Sequence, residues 1–134
     1  MDCILKPGQE NSCTPLVACV GETGVYFTGR AFGWGESGTL SGTTNAGYKC
    51  KGTWMRRNFF GAGQANLTCS NGLQAVVFYT SVDPETGTVV GHGYTNDRQK
   101  ISAWSGHKIR QFIVNSAGDV DAKLMCGLVE IPLS

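Results

Sequence analysis

The stretch from Asn66 to Trp104 reads NLTCSNGLQAVVFYTSVDPETGTVVGHGYTNDRQKISAW. Its short apolar runs are separated by polar segments such as Ser70-Asn71-Gly72 and Asn96-Asp97. Asn, Asp and Gly accept the backbone conformations of tight turns, and short apolar runs between turns are typical of strands. The stretch therefore predicts a sheet that folds back on itself rather than a piece of catalytic machinery.

The same pattern extends along the rest of the chain. Runs of strand character lie at 16–20, 25–31, 38–43, 48–54, 65–69, 73–80, 88–94, 100–104, 108–114 and 122–131. Regular short strands with turns between them indicate an antiparallel sandwich or barrel. We expect one all-β domain over residues 1–134, with roughly eight to ten antiparallel strands in a closed or nearly closed sheet. Residues 1–15 are expected to form an irregular N-terminal segment.

Composition and charge restrict the class of protein. The chain has 134 residues, which fits one domain, and its 19 glycines with only 16% charged residues suit many turns better than a helical bundle. A net charge of +1 argues against a nucleic-acid footprint, which needs a basic stripe. No apolar run is long enough for a transmembrane segment. No signal peptide precedes Lys6-Pro7-Gly8, so we expect the sequence to begin at the mature region.

Six cysteines are the strongest compositional clue. An even number in a small, glycine-rich chain favours disulfides and an oxidising compartment, which predicts a secreted or periplasmic protein. A reduced cytosolic protein with buried thiols is the alternative. The spacing of the cysteines does not match the paired ligands of a zinc site, so neither a metal nor a cofactor is expected.

Strand alternation predicts one disulfide directly. Residues 48–54 place Tyr48, Cys50, Gly52 and Trp54 on one face of a strand and Lys49, Lys51 and Thr53 on the other. If this strand forms a hairpin with 65–69 around residues 57–60, Cys50 lies opposite Cys69 and within disulfide reach. The remaining four cysteines allow three pairings. We favour Cys19–Cys126, which would tie the two ends of the chain together, with Cys3–Cys13; a lipid on Cys3 would leave an unpaired thiol.

Candidate binding residues concentrate in Trp54-Met55-Arg56-Arg57-Asn58-Phe59-Phe60-Gly61. Arginine and aromatic residues are enriched at binding hot spots, and arginine grips carboxylates with two hydrogen bonds. The other interpretation, which we favour, is that Phe59 and Phe60 fold into the core while the arginines are solvated. Trp34, between Gly33 and Gly35, is either a packed corner, which we favour, or an exposed stacking platform. The candidate binding set is Trp34, Arg56, Arg57, Phe59 and Phe60.

Catalytic candidates are weaker than binding candidates. His92 lies on a predicted strand and His107 in a predicted turn, where a general base could be oriented by Asp83, Glu85 or Asp97. No nucleophile or metalloprotease motif accompanies them, so we assign no catalytic residue. A small hydrolase with a histidine–carboxylate site is kept as an alternative. The segment 83–87 is interpreted as a hairpin turn rather than a calcium loop.

Residues 13–21, 29–42, 50–54 and 67–72 resemble small secreted proteins of proteobacteria that have no assigned function. That resemblance implies a β-rich, cysteine-containing fold and brings no active site with it. The chain is also similar to periplasmic inhibitors of C-type lysozyme, which are small disulfide-bearing β-barrels with a Ser-Gly-x-x-Tyr inhibitory loop. Here Ser41-Gly42 is followed by Tyr48 after a longer gap, and Ser105-Gly106 is followed by no tyrosine.

Together these observations predict a secreted or periplasmic, non-enzymatic binding protein. Its partner would be a protein or a cell-envelope glycan, not a nucleic acid. A lysozyme-inhibitor-like periplasmic barrel is a further alternative, and the sequence leaves the oligomeric state open.

Overall fold

The computed structural model of the chain describes residues 3–83, 88–109 and 124–132. Its strands, in chain order, are β1 (Cys13–Val20), β2 (Val25–Trp34), β3 (Ser37–Thr44), β4 (Lys49–Met55), β5 (Gly63–Cys69), β6 (Gln74–Asp83), β7 (Thr88–Thr95), β8 (Lys100–Ser105), β9 (Met125–Cys126) and β10 (Val129–Glu130). Strands β1 to β8 pair antiparallel with their neighbours, and β8 pairs with β1 to close a barrel. The predicted all-β antiparallel fold is confirmed. No helix in this part of the chain has the length and apolarity to cross a bilayer.

Alternation along each strand determines which side chains fill the barrel. Leu67 pairs with Ala75, and Val77 pairs with Ala65 on one side and Gly93 on the other, so inward positions form continuous rows across the strands. The buried inner cluster contains Ala18, Phe27, Cys50, Cys69, Ala75, Val77 and Ile101. The barrel is therefore a filled core rather than an open channel through its middle.

Glycines on neighbouring strands make room for aromatic rings inside the barrel. A Cβ atom on Gly38 would lie 2.5 Å from Nε1 of Trp54, and one on Gly33 would lie 3.0 Å from the same ring. The indole Nε1 of Trp54 donates a hydrogen bond of 3.0 Å to the Phe32 carbonyl. The same relation joins Phe27 to Gly29 and Gly42, and Tyr79 to Gly63. Glycine in a strand allows such close packing and helps the sheet to curve. These two needs explain the many glycines in the barrel strands.

A second core lies outside the barrel, on β1, β2 and β8. Its buried members are Val17, Ile109, Leu124, Cys126 and Ile131, and Cys19, Tyr26 and Trp104 pack against them. The strand predicted at 122–131 is wrong for the described residues 124–131. They form a short hairpin of β9 and β10, because Gly127 has a φ of 61° and turns the chain. Lys108 lies in a turn instead of opening a strand, and 110–114 lies outside the described residues.

Three disulfides crosslink the described part of the chain. Cys50–Cys69 joins β4 to β5 with a Cα–Cα distance of 3.9 Å, Cys19–Cys126 joins β1 to β9, and Cys3–Cys13 fastens the N-terminal segment to β1. These are the pairings favoured from the sequence, and they are consistent with an oxidising compartment. Strand β1 begins at Cys13, so the irregular segment ends earlier than the predicted boundary at residue 15.

Candidate functional site

The β4–β5 connection, residues 56–62, is here called the aromatic loop. The side chains of Phe59 and Phe60 are 96% and 88% exposed, so the favoured interpretation that they fold into the core is wrong. Their ring centroids are 5.4 Å apart and their planes are nearly perpendicular, at 86°. Such an edge-to-face pair is a favoured aromatic geometry, and here it stands in solvent.

Asn58 fixes the backbone of the aromatic loop. Its Oδ1 atom accepts hydrogen bonds from the amides of Phe60, at 2.8 Å, and Ala62, at 3.0 Å. Its backbone amide donates to the Ala62 carbonyl at 2.6 Å, and its carbonyl accepts from the Gly61 amide at 3.0 Å. Gly61 supplies the positive φ of 81° that the turn requires. The loop is thus held in one conformation by local hydrogen bonds, although its aromatic side chains are exposed.

The same asparagine begins a chain of side-chain amides along the barrel. Asn58 Nδ2 donates to Gln64 Oε1 at 3.0 Å, and Gln64 Nε2 donates to Asn66 Oδ1 at 3.0 Å. Gln64 and Asn66 alternate with the inward residues of β5 and therefore lie on its outer face. Neither residue was predicted from the sequence, although the alternation of Gln64, Asn66 and Thr68 with apolar residues indicates that they share one face of the strand.

The remaining predicted binding residues lie at the same end of the barrel. The Arg56 amide donates a 2.7 Å hydrogen bond to the Glu36 carbonyl and so ties the aromatic loop to the β2–β3 turn. Arg56 and Arg57 are exposed. Trp34 is 45% exposed at the end of β2, so the packed-corner interpretation is wrong. The ring that packs on Gly33 belongs to Trp54 instead. The binding role of the five residues stays a prediction.

The outer faces of β5 to β8 carry a row of aromatic and polar side chains next to the aromatic loop. Gln64 pairs with Phe78, which pairs with His92, and in the adjacent row Asn66 reaches Tyr94 through Val76. Lys100 pairs with Tyr94 on the far side. Phe78 is 49% exposed and Tyr94 is 62% exposed. We call Gln64, Asn66, Phe78, His92, Tyr94 and Lys100 the aromatic wall. Of these six residues, only His92 was predicted as a candidate from the sequence.

The structure places the catalytic candidates apart from one another. His92 is exposed on the aromatic wall, whereas His107 Nε2 lies 2.8 Å from the carbonyl oxygen of Cys13. Asp97 accepts hydrogen bonds from the Thr95 hydroxyl and from Gln99, which hold the pKa of its carboxyl below its usual value. That carboxylate therefore stabilises the β7–β8 turn. In the ranges that the structure describes, no group of three His, Cys, Asp or Glu side chains could hold a metal ion; residues 84–87 lie outside those ranges.

A small cavity lies at the opposite mouth of the barrel, among the β1–β2, β3–β4, β5–β6 and β7–β8 turns. Its volume is about 130 Å³, and Val20, Thr44, Tyr48, Leu73 and Gln99 are among its lining residues. Pockets for drug-sized ligands usually measure roughly 300–1,000 Å³. This mouth therefore has room for a molecule of about one ring.

Comparison with known proteins supports the fold. No family model and no curated protein matches the chain. A redesigned β-barrel, mFAP0, bound to DFHBI, superposes with a TM-score of 0.56 at 14% identity, covering 72% of this chain and 97% of that one. A second redesigned barrel, mFAP1, bound to DFHBI, gives 0.55 at 17% identity, with 72% and 94% covered. A de novo designed fluorescence-activating β-barrel gives 0.55 at 13% identity, with 69% and 89% covered. At such identities the likeness shows the barrel fold alone.

Proposed function

We propose that the protein is a non-enzymatic binding protein of an oxidising compartment, secreted or periplasmic, that holds its partner through Trp34 and the aromatic loop. The observation that carries this proposal is the exposure of Phe59 and Phe60, at 96% and 88%, on a backbone fixed by Asn58. The disulfides support the compartment, because such bonds persist where the environment is oxidising.

The energetics of the aromatic loop favour binding. Burying one phenylalanine side chain in a partner contributes about 1.5–3 kcal/mol, and two adjacent rings form a compact apolar anchor. Because hydrogen bonds already order the loop, little further backbone entropy is lost when a partner binds. Arg56 and Arg57 precede the two phenylalanines and add positive charge to the loop, so the loop suits a partner that combines an apolar contact with anionic groups.

The test is capture of a partner from an envelope extract of the cells that make the protein. Replacing Arg56, Arg57 and Phe59 together with alanine should abolish capture without changing Tm. The matched control is Leu128→Ala, which removes a 98% exposed apolar side chain from the β9–β10 turn, and it should leave capture unchanged. Equal capture by the triple variant and the wild type would refute the proposal.

A second candidate function is binding of a small ligand at the opposite mouth. The cavity of about 130 Å³ favours it, and two of the similar designed barrels are bound to a small molecule, DFHBI. A cavity of about 150 Å³ can hold a benzene ring, so a single-ring ligand is the right size. Filling the cavity with Leu73→Trp should abolish NMR shifts that small aromatic compounds cause in the wild type. A wild-type spectrum that no such compound perturbs would exclude this function.

A further inference from the structure

We propose that the aromatic wall and the aromatic loop form one continuous surface that binds an extended anionic polysaccharide. The inference rests on the proposed function and names the chemical class of its partner. Asn58 connects the two parts, since its side chain orders the loop and also donates to Gln64 at 3.0 Å. A polysaccharide bound along the aromatic wall would therefore also reach the exposed phenylalanines of the aromatic loop.

The first argument is the arrangement of aromatic side chains. Phe78 and His92 are direct partners on adjacent strands, and Tyr94 lies two residues from His92 on the same face. Adjacent strands are separated by about 4.8 Å, so side chains across the wall recur at intervals comparable with the units of an extended sugar chain. The apolar faces of sugar rings stack on exposed aromatic rings. Phe78 and Tyr94, at 49% and 62% exposure, present such surfaces.

The second argument is the pair of oriented amides beside these rings. Gln64 and Asn66 lie in the same rows as Phe78 and Tyr94, and a hydrogen bond of 3.0 Å between them fixes their side chains. A side-chain amide offers both donors and an acceptor, which is the complement of a sugar hydroxyl. Their fixed orientation reduces the entropy that a ligand must remove.

The third argument is charge, and it selects an acidic chain over a neutral one. Lys100 is the cation of the aromatic wall, which contains no carboxylate, whereas Arg30, Lys49 and Lys51 lie outside the wall on β2 and β4. Asp97 lies in the adjoining β7–β8 turn, and Asp83 ends β6. The aromatic loop adds Arg56 and Arg57, and its sequence contains no acidic residue; Glu36 lies in the adjoining β2–β3 turn. Lys100 borders Tyr94 directly. A positively charged surface attracts sugars that carry carboxylates. Because salt screens this attraction, the affinity should fall as salt is added.

The experiment measures binding to polygalacturonate, a chain of acidic sugars, by isothermal titration calorimetry and affinity electrophoresis. Wild type should bind, and its affinity should fall with salt. Phe78→Ala with Tyr94→Ala should weaken binding at least tenfold, and so should the triple loop variant. The control Leu128→Ala removes a 98% exposed apolar side chain from the β9–β10 turn, outside every candidate site, and should bind as wild type. Each variant is checked for an unchanged Tm.

Two further ligands distinguish the contribution of the carboxylates from that of the sugar rings. Dextran, which lacks charge, should bind more weakly than polygalacturonate. Polyglutamate, which has carboxylates but no sugar rings, should also bind more weakly; equal affinity for it would overturn the inference, because charge alone would then account for binding. No binding to polygalacturonate, alginate or hyaluronate, or no effect of the wall substitutions, would overturn it as well. If the loop variant still loses capture from extract in those cases, the proposed function stands with a protein partner.

Discussion

The inner and outer faces of the barrel strands differ in what they contribute. On β6, Val77 is 5% exposed and packs in the inner cluster, whereas its neighbour Phe78 is 49% exposed on the aromatic wall. On β7, the inward positions Gly91 and Gly93 leave room inside the barrel, and the outward positions are His92 and Tyr94. Because the side-chain period is two, one strand can carry stability on one face and binding on the other without conflict. Substitutions on the two faces should therefore give different phenotypes.

The largest expected effect is the loss of the disulfide that holds the outer core on the barrel. Cys19→Ser with Cys126→Ser removes a crosslink between residues 107 apart in sequence, and we expect destabilisation of about 4–5 kcal/mol. Replacing Cys50 and Cys69 with serine removes a crosslink between residues 19 apart and should lower the free energy of unfolding by about 3 kcal/mol. Urea unfolding of both double variants shows which disulfide contributes more to stability. A larger loss for Cys50–Cys69 would contradict the chain-entropy explanation.

The next largest effect is expected inside the barrel, at Gly38. In Gly38→Val, a Cβ atom would overlap the Phe32 carbonyl oxygen and crowd the Trp54 indole. We expect destabilisation of about 3 kcal/mol or more, read from urea unfolding. The matched control is Thr39→Val, which places the same side chain at the adjacent exposed position and should change stability by less than about 0.5 kcal/mol. Similar losses of stability in the two variants would mean that alternation along β3 does not separate a packed inner face from an exposed outer face.

A smaller effect is expected from Tyr79, whose hydroxyl donates a 2.6 Å hydrogen bond to the Met55 carbonyl. Tyr79→Phe should cost about 1 kcal/mol at neutral pH. Burial raises the pKa of Tyr79 from 10.0 to about 12, so the neutral phenol is favoured in the folded state. Its contribution is complete below pH 10 and is lost as pH rises through the raised value. Stability measured from pH 9 to pH 12 should fall less steeply in Tyr79→Phe than in wild type; parallel curves would refute this role.

The smallest effect is expected at the β7–β8 turn. The hydrogen bonds from Thr95 and Gln99 lower the pKa of Asp97 from 3.8, so the folded state favours the carboxylate. The contribution is present above the ordinary pKa and disappears as pH falls through the lowered value. Asp97→Asn should have a slightly lower Tm than wild type at pH 7, and the difference should shrink as pH falls below the ordinary pKa of 3.8. A difference that persists at low pH would show that the charge is not the cause.

The sequence predicted the features that depend on local alternation, and it left open or missed most of those that distant contacts decide. The Cys50–Cys69 pairing followed from two alternating strands in one hairpin. Closure of β8 on β1 depends on the accumulated twist and curvature of the whole sheet, so the sequence allowed a barrel or a sandwich. The run at 122–131 looked like one strand because most of its residues are apolar, yet Gly127 bends residues 124–131 into a hairpin over β1.

The candidate site was predicted only in part for a similar reason. Arginine and phenylalanine at a hairpin tip identified the aromatic loop, but composition could not show whether Phe59 and Phe60 are exposed. Trp34 lies between Gly33 and Gly35 in the sequence, whereas Trp54 meets Gly33 and Gly38 only in the folded barrel, where the register turns it inward. The aromatic wall draws its side chains from strands that are separated by turns, so its residues are not adjacent in sequence.

Paired measurements on Val77→Ala and Phe78→Ala test the division between the two faces most directly. Each variant needs a free energy of unfolding from urea titration and a Kd for polygalacturonate from calorimetry. Val77→Ala should lose about 2 kcal/mol of stability and, while folded, bind as wild type. Phe78→Ala should keep its stability within about 0.5 kcal/mol and bind more weakly. The reverse pattern, or equal effects of both variants on both quantities, would contradict the assignment of stability to the inner face and binding to the outer one.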